Sequence, residues 1–102
     1  MYKFKLFLYN WSIGKTQDKS KLMVDRKVCS GAVHYKDREI FVDDGLGPVD
    51  LYKVVRHELT HAVLYETQLN LNVQYSEEDM CELMAKYGSF IVKLSEEIIE
   101  NL

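Results

Sequence analysis

Two histidines lie four residues apart in a segment whose pattern indicates a helix. His57 and His61 fall within Pro48 to Thr67, and Glu58 immediately follows the first histidine. On a helix, side chains at i and i+4 share a face with Cβ atoms about 5 to 6 Å apart, so two imidazoles can converge on one metal ion. The HExxH pattern of zinc sites uses this spacing. The segment must therefore be helical and must leave its histidine face open.

Glu58 is placed to act beside the metal rather than on it. It projects about 100° further round the helix than His57, where a carboxylate can reach a water held by the ion. The predicted roles are His57 and His61 as ligands of Zn²⁺ and Glu58 as catalytic base. The alternative interpretation is an amphipathic helix that carries two solvated histidines.

Length and composition predict one intracellular globular domain spanning residues 1–102. The chain has a mass of 12.0 kDa, 47% hydrophobic residues and a single proline, which is enough for one core and one site. Cys29 and Cys81 do not form a disulfide framework, and Leu6 to Tyr9 is too short for a secretory or membrane segment. We therefore expect reduced thiols, a cytoplasmic location and no membrane partner; the oligomeric state stays open.

Positive charge is concentrated in the first part of the chain. Residues 1–38 carry nine Lys or Arg against three Asp, and residues 39–102 carry four against thirteen acids. The basic part could meet an acidic partner, but its lysines are scattered and lack interleaved stacking residues. Solvated strand and loop faces are the favoured interpretation, and nucleic acid is disfavoured as a partner.

The order of the patterns predicts strands followed by two helices. Tyr2 to Tyr9 alternates as one strand, and Asn10 to Lys27 reads as a polar loop in which Lys21 to Val24 offers a short strand. Val28 to Tyr35 and Glu39 to Asp43 form a predicted hairpin. Pro48, or alternatively Asp50 as N-cap, begins the first helix. The fold class is α+β, with a small antiparallel or mixed sheet packed on two main helices.

The last helix is predicted to begin at Ser76, after a connecting loop from Glu66 to Ser76. An N-cap serine followed by an acidic first turn suits the positive end of a helix dipole. Apolar residues then recur every three or four positions, which predicts a core seam of Met80, Met84, Tyr87, Ile91, Leu94 and Ile98.

A third metal ligand must come from outside the HExxH segment. The acidic start of the last helix offers Glu77 and Glu78; His34, Cys29 and Cys81 are alternatives. Glu78 and Glu82 share a helix face, so one could bind the metal while the other accepts a hydrogen bond from a ligand histidine. We predict Glu78 as the ligand and Glu82 as its supporting neighbour.

This ordered set resembles the gluzincin class of zinc metallopeptidases, and most of all the small ImmA/IrrE-type enzymes of phages and mobile elements. The resemblance covers about Ala32 to Phe90. Residues 78–82 are similar to the family's Glu-x-x-x-Asp/Asn motif, with Glu82 in place of the usual last residue. The resemblance implies a minimal zincin-like domain in which an exposed edge strand pairs with substrate backbone; the matching residues are Ala32, Val33, His34 and Tyr35.

The function predicted from motif and resemblance is hydrolysis of peptide bonds by a metal-bound water, on a peptide or protein substrate. His34, Tyr35, Tyr65 and Tyr87 are candidates for stabilising the oxyanion. The alternative is a zinc-binding regulatory or interaction module of phage origin that no longer turns over. An intact Glu58 argues against that alternative, because a structural zinc site is normally closed by four protein ligands and needs no base.

Overall fold

Two helices pack on a four-stranded mixed sheet in this computed structural model, which describes residues 1–67 and 76–102. The sheet order is β1-β2-β6-β5, with β2 and β6 parallel and the other neighbours antiparallel. The predicted α+β class is confirmed. The elements are β1 (Tyr2–Leu6), β2 (Tyr9–Thr16), a 3-10 helix (Lys19–Leu22), β3 (Met23–Val24), β4 (Lys27–Val28), β5 (Gly31–His34), β6 (Glu39–Asp43), α1 (Pro48–Glu66) and α2 (Glu77–Glu100).

The first strand is shorter than predicted, because the chain reverses at Phe7 and Leu8. Leu6 pairs with Tyr9 across this turn, and Phe7 has a positive φ of 58°, which is unusual for a residue with a side chain. Its ring stacks on Phe90 at 5.7 Å, a contact with α2 that no local pattern shows. Leu8, which an uninterrupted strand from Tyr2 to Tyr9 would place on the same face as Phe4 and Leu6, is 89% exposed.

The segment predicted as a polar loop contains the second strand of the sheet. Trp11 and Ile13 on β2 are buried, and β2 pairs with β1 on one side and β6 on the other. The predicted short strand at Lys21 to Val24 is a strand only at Met23–Val24, since the 3-10 helix precedes it. The interleaved Asn10 and Ser12 concealed the alternation of Tyr9, Trp11 and Ile13, which was the available signal.

The predicted hairpin is confirmed as β5 and β6. Ala32 pairs with Phe41 and Val33 with Ile40, but β5 begins at Gly31, and Val28 belongs to β4 instead. In the sheet as described, β5 is a terminal strand. The predicted edge strand is therefore at an edge.

Both predicted helices are present. Gly47 is the N-cap of α1, with Pro48 at its start, so Asp50 lies in the first turn and does not cap it. Ser76 caps α2 through a capping box with Asp79, which satisfies free amides at both positions. Of the predicted connecting loop, residues 68–75 lie outside the described residues.

The core lies between the helices and one face of the sheet. Its members include Trp11, Ile13, Ile40 and Val42 from the sheet and Val55, Leu59, Val63, Ile91 and Ile98 from the helices. The predicted seam on α2 is wrong at Met80 and Met84, which are 48% and 60% exposed. The pattern correctly placed Ile91 and Ile98 in the core. Periodicity alone cannot show how far along a helix the packed surface extends. No helix in the described ranges has the length and apolarity to cross a membrane.

A buried carboxylate at the end of α1 joins three elements. The Glu66 side chain, 3% exposed, accepts a hydrogen bond from Trp11 Nε1 at 2.7 Å and one from Arg38 Nε at 2.8 Å. The Arg38 guanidinium also lies 4.3 Å from the centre of the Tyr9 ring. Glu66 therefore connects β2, the β5–β6 hairpin and α1.

Glu66→Ala is expected to lower the free energy of unfolding by about 2–3 kcal/mol, because it leaves the indole N–H and a partly buried guanidinium without their acceptor. The loss stays below that of a fully buried pair, since the Arg38 side chain is 32% exposed and regains water. Urea denaturation measures it. The control is Glu82→Ala, which breaks an exposed pair with Lys86 and should change stability by less than about 0.5 kcal/mol; equal losses in the two variants would contradict the assignment.

Candidate metal and catalytic site

The two histidines of α1 face each other at a distance that suits one metal ion. Their Nε2 atoms are 3.2 Å apart and their ring centroids 4.8 Å apart. Two nitrogens that each lie about 2.0–2.1 Å from one tetrahedral ion are separated by roughly 3.3 Å. The separation of the two nitrogens therefore matches that of two adjacent ligands on a zinc ion.

His61 is disposed to be neutral. Burial, followed by the neighbouring His57, lowers the pKa of His61, and a neutral imidazole is the form that binds metal. Both rings lie toward the exposed side of α1. An ion can thus approach the pair from solvent.

Glu58, which lies between the two histidines in sequence, is buried, whereas the histidines are exposed. It is 6% exposed, and desolvation by burial raises the pKa of its carboxyl group from 4.5 to about 7. No hydrogen bond to its carboxylate occurs among the described residues, in contrast to Glu66 on the same helix. A carboxyl group with a pKa near neutrality can both take up and release a proton at physiological pH.

Gly31 makes room for Glu58, a function that the sequence reasoning missed. A Cβ at Gly31 would lie 2.7 Å from Val54 Cγ1 and 2.9 Å from Glu58 Cγ. The backbone of β5 can therefore approach α1 this closely only because residue 31 has no side chain. A glycine at the start of a β-prone run was the signal that could have found it.

A cleft of about 280 Å³ opens beside this contact. It is lined by Cys29, Ser30, Gly31, Lys53, Val54, His57 and Glu58. The cleft thus brings together the potential ligand His57, the buried carboxyl group of Glu58 and Gly31, the first residue of the edge strand. Lys53 and Ser30 were not predicted from sequence. Cys29 and Cys81 are both free thiols.

The four residues predicted to bind substrate lie beside the cleft but differ in the direction of their side chains. Side chains alternate along a strand, so Val33 and Tyr35 share the α1 side with Gly31, whereas Ala32 and His34 point to the other face. His34 Nε2 accordingly lies 2.9 Å from the Lys21 carbonyl oxygen, and its ring packs edge-on against Phe41. Binding through the backbone of β5 does not depend on these directions.

Among the oxyanion candidates, Tyr35 lies close enough to Glu58 for the charge of that carboxyl group to affect its pKa. Burial, and secondarily the charge of Glu58, raise the pKa of the Tyr35 phenol, so it keeps its proton as a hydrogen-bond donor. Its ring lies 5.0 Å from that of Tyr65. Tyr87 instead packs against Phe7, and His34 is bonded to Lys21.

Glu78, the predicted third ligand, does not form a cluster with the two histidines in the described residues. Within residues 1–67 and 76–102, no three His, Cys, Asp or Glu side chains are close enough together to hold a metal ion. Arg56 Nε donates to Ser95 Oγ at 3.2 Å, which places these two residues at one level of the helix pair. Glu78 lies 17 residues before Ser95 on α2, roughly 26 Å along that helix. Its role as ligand stays a prediction.

Glu82 has a local partner on its own helix. Its carboxylate lies 3.7 Å from Lys86 Nζ, and both side chains are largely exposed. The supporting role predicted for Glu82 therefore stays a prediction as well.

Comparison with models of known protein families, with curated protein sequences and with solved structures finds no match to this chain.

Gly31→Ala is expected to displace Glu58 and Val54 and to lower the free energy of unfolding by about 1–3 kcal/mol, the usual range for overpacking. Urea denaturation measures the loss. The control is Gly45→Ala, where an added Cβ meets only Asp43 Oδ1 at 3.7 Å, an ordinary contact. Equal stability of the two variants would contradict the close approach of β5 to α1.

Glu58→Gln is expected to stabilise the metal-free protein at alkaline pH. Because the folded-state pKa of about 7 exceeds the ordinary 4.5, the folded wild type binds more protons than the unfolded chain between these values, and its stability falls as pH rises. The variant lacks this loss, so its advantage should grow from near zero at pH 4.5 to about 3 kcal/mol at pH 8. Urea denaturation with chelator at both pH values measures it; a difference independent of pH would contradict the buried, unpaired carboxyl group.

Proposed function

We propose that this chain is a zinc-dependent peptidase of the gluzincin type with a minimal zincin-like fold. One observation supports it most: two imidazole nitrogens 3.2 Å apart lie next to a buried carboxyl group whose pKa is about 7, in a cleft at the end of an edge strand. Each part suits a hydrolase. A structural site would need neither the carboxyl group nor the cleft.

His57 and His61 would hold the ion; Glu78 stays the third ligand proposed from the sequence, although it is not gathered with the two histidines in residues 1–67 and 76–102. When bound, zinc lowers the pKa of water and polarises a carbonyl group. Glu58 takes the proton from the attacking water and delivers it to the leaving amine, which its pKa of about 7 allows in both directions. The Tyr35 phenol is the proposed donor to the oxyanion.

The proposed substrate is an extended peptide or protein segment. A terminal strand offers unpaired backbone N–H and C=O groups to a further strand, and β5 carries such groups next to the cleft. Ala32, Val33, His34 and Tyr35 would bind the substrate through their main chain. Such pairing tolerates many sequences, so selectivity must come from the side chains that line the cleft.

Metal content separates the ligands from the base. Purified wild type is expected to bind one zinc, His57→Ala and His61→Ala to lose it, and Glu58→Gln to keep it. Elemental analysis after dialysis measures this, with circular dichroism to confirm folding. Glu96→Ala, which removes an exposed carboxylate on α2, is the control. Loss in His61→Ala with full retention in Glu78→Ala would reject Glu78 and direct the search to Glu77, Cys81 or His34.

Hydrolysis is tested on a broad peptide library read by mass spectrometry. The zinc-loaded wild type is expected to cleave, a chelator to abolish cleavage and added zinc to restore it. Glu58→Gln should reduce the rate by about 10²–10⁴-fold, the usual contribution of a general base. Undiminished cleavage by Glu58→Gln would refute the base assignment. Stoichiometric zinc with no cleavage of any peptide would instead favour the silent zinc-binding module.

A further inference from the structure

Lys53 forms a row with the two proposed ligands on the exposed side of α1. Lys53, His57 and His61 follow one another at intervals of four residues, so each lies one helical turn, about 6 Å, from the next. The metal would lie between His57 and His61. The ammonium group of Lys53 lies on the side of His57 that points away from His61.

The cleft lies on that same side. Its wall contains Lys53, and its floor is formed by Gly31 and Val54 next to the carboxyl group of Glu58. A volume of about 280 Å³ accommodates one amino-acid side chain with room for solvent. A substrate strand paired with β5 would therefore insert one residue here, within reach of the lysine.

The ammonium group of Lys53 has no ion-pair partner within residues 1–67 and 76–102, although Asp50 is only three residues away on the same helix. The remaining cleft residues are uncharged except for Glu58, which is buried, and His57, which is proposed to bind the metal. The outer part of the cleft is consequently positive and open to an anionic group.

Resting on the proposed function, we propose that this cleft is a specificity subsite for a substrate carboxylate, which Lys53 binds. The carboxylate comes from an Asp or Glu side chain or from the C-terminus of the peptide, since both offer the same group. Lys53 is a specificity-determining residue and not a participant in bond breaking. Its effect should appear in KM and leave kcat nearly unchanged.

The expected size follows from the exposure of the pair. An ion pair open to solvent contributes up to about 1 kcal/mol, which corresponds to about a fivefold preference. The preference should decrease at high salt, because exposed charges are screened. A larger, salt-independent preference would point to a neutral contact and overturn the role of Lys53.

The test uses a peptide cleaved by the wild type, varied to Asp or Asn at each position in turn and prepared with a free or amidated C-terminus. Wild type should prefer the carboxylate at one location by about fivefold in kcat/KM; the position of the effect tells side chain from C-terminus. Lys53→Ala should reduce the ratio to about one, and Lys53→Glu should invert it. Lys93→Ala, an exposed lysine on α2, is the control and should keep the ratio. Equal cleavage of all pairs by wild type, or an unchanged ratio in Lys53→Ala, overturns the subsite.

Binding keeps this test distinct from that of the peptidase itself. If no peptide is cleaved, the proposed function fails, and the subsite is decided by fluorescence anisotropy of labelled Asp and Asn peptides on zinc-loaded Glu58→Gln. Tighter binding of the Asp peptide that is lost on adding Lys53→Glu supports the carboxylate subsite. Equal affinity for the two peptides overturns it.

Discussion

The close approach of β5 to α1 at Gly31 is the constraint on which the candidate site depends. Since a Cβ there would lie 2.7 Å from Val54 and 2.9 Å from Glu58, the strand and helix can adopt this spacing only with glycine between them. The contact excludes most water from the Glu58 carboxyl group, while the cleft keeps it accessible. It also places the terminal strand of the sheet beside the histidine pair. One packing contact therefore aligns the proposed base, the proposed ligands and the proposed peptide-binding edge.

Glu58 and Glu66, both on α1, have different properties because their surroundings differ. Glu66 is buried with an indole N–H and a guanidinium as hydrogen-bond partners. These contacts offset the free-energy cost of its desolvation and join β2 to the hairpin. Glu58 is buried without a comparable partner in the described residues, and its pKa rises to about 7. The first arrangement stabilises the fold. The second reduces stability at neutral pH in exchange for a carboxyl group that can exchange protons, which is a common property of functional sites.

How much could be predicted from sequence varied with the range of the interactions involved. The helix that carries His57 and His61, the capping box of α2 and the β5–β6 hairpin depend on contacts within a few residues, and their patterns were sufficient. The turn at Phe7 was missed because aromatic partners on α2, more than eighty residues away, stabilise a positive φ in a residue that ordinarily avoids it. β2 was missed because polar residues on its solvated face diluted the alternation of Trp11 and Ile13.

The sequence by itself determined the pair of imidazoles and the carboxyl group beside it, because a helix of fixed pitch places positions i and i+4 on one face whatever surrounds it. Only the tertiary structure decided that Glu58 is desolvated, that Gly31 forms the floor beside it and that Lys53 lines the same cleft. These properties arise where β5 packs on α1, between residues 22 to 27 positions apart in the sequence. Solvent exclusion and steric contact depend on distances in space, and local sequence patterns do not encode those distances.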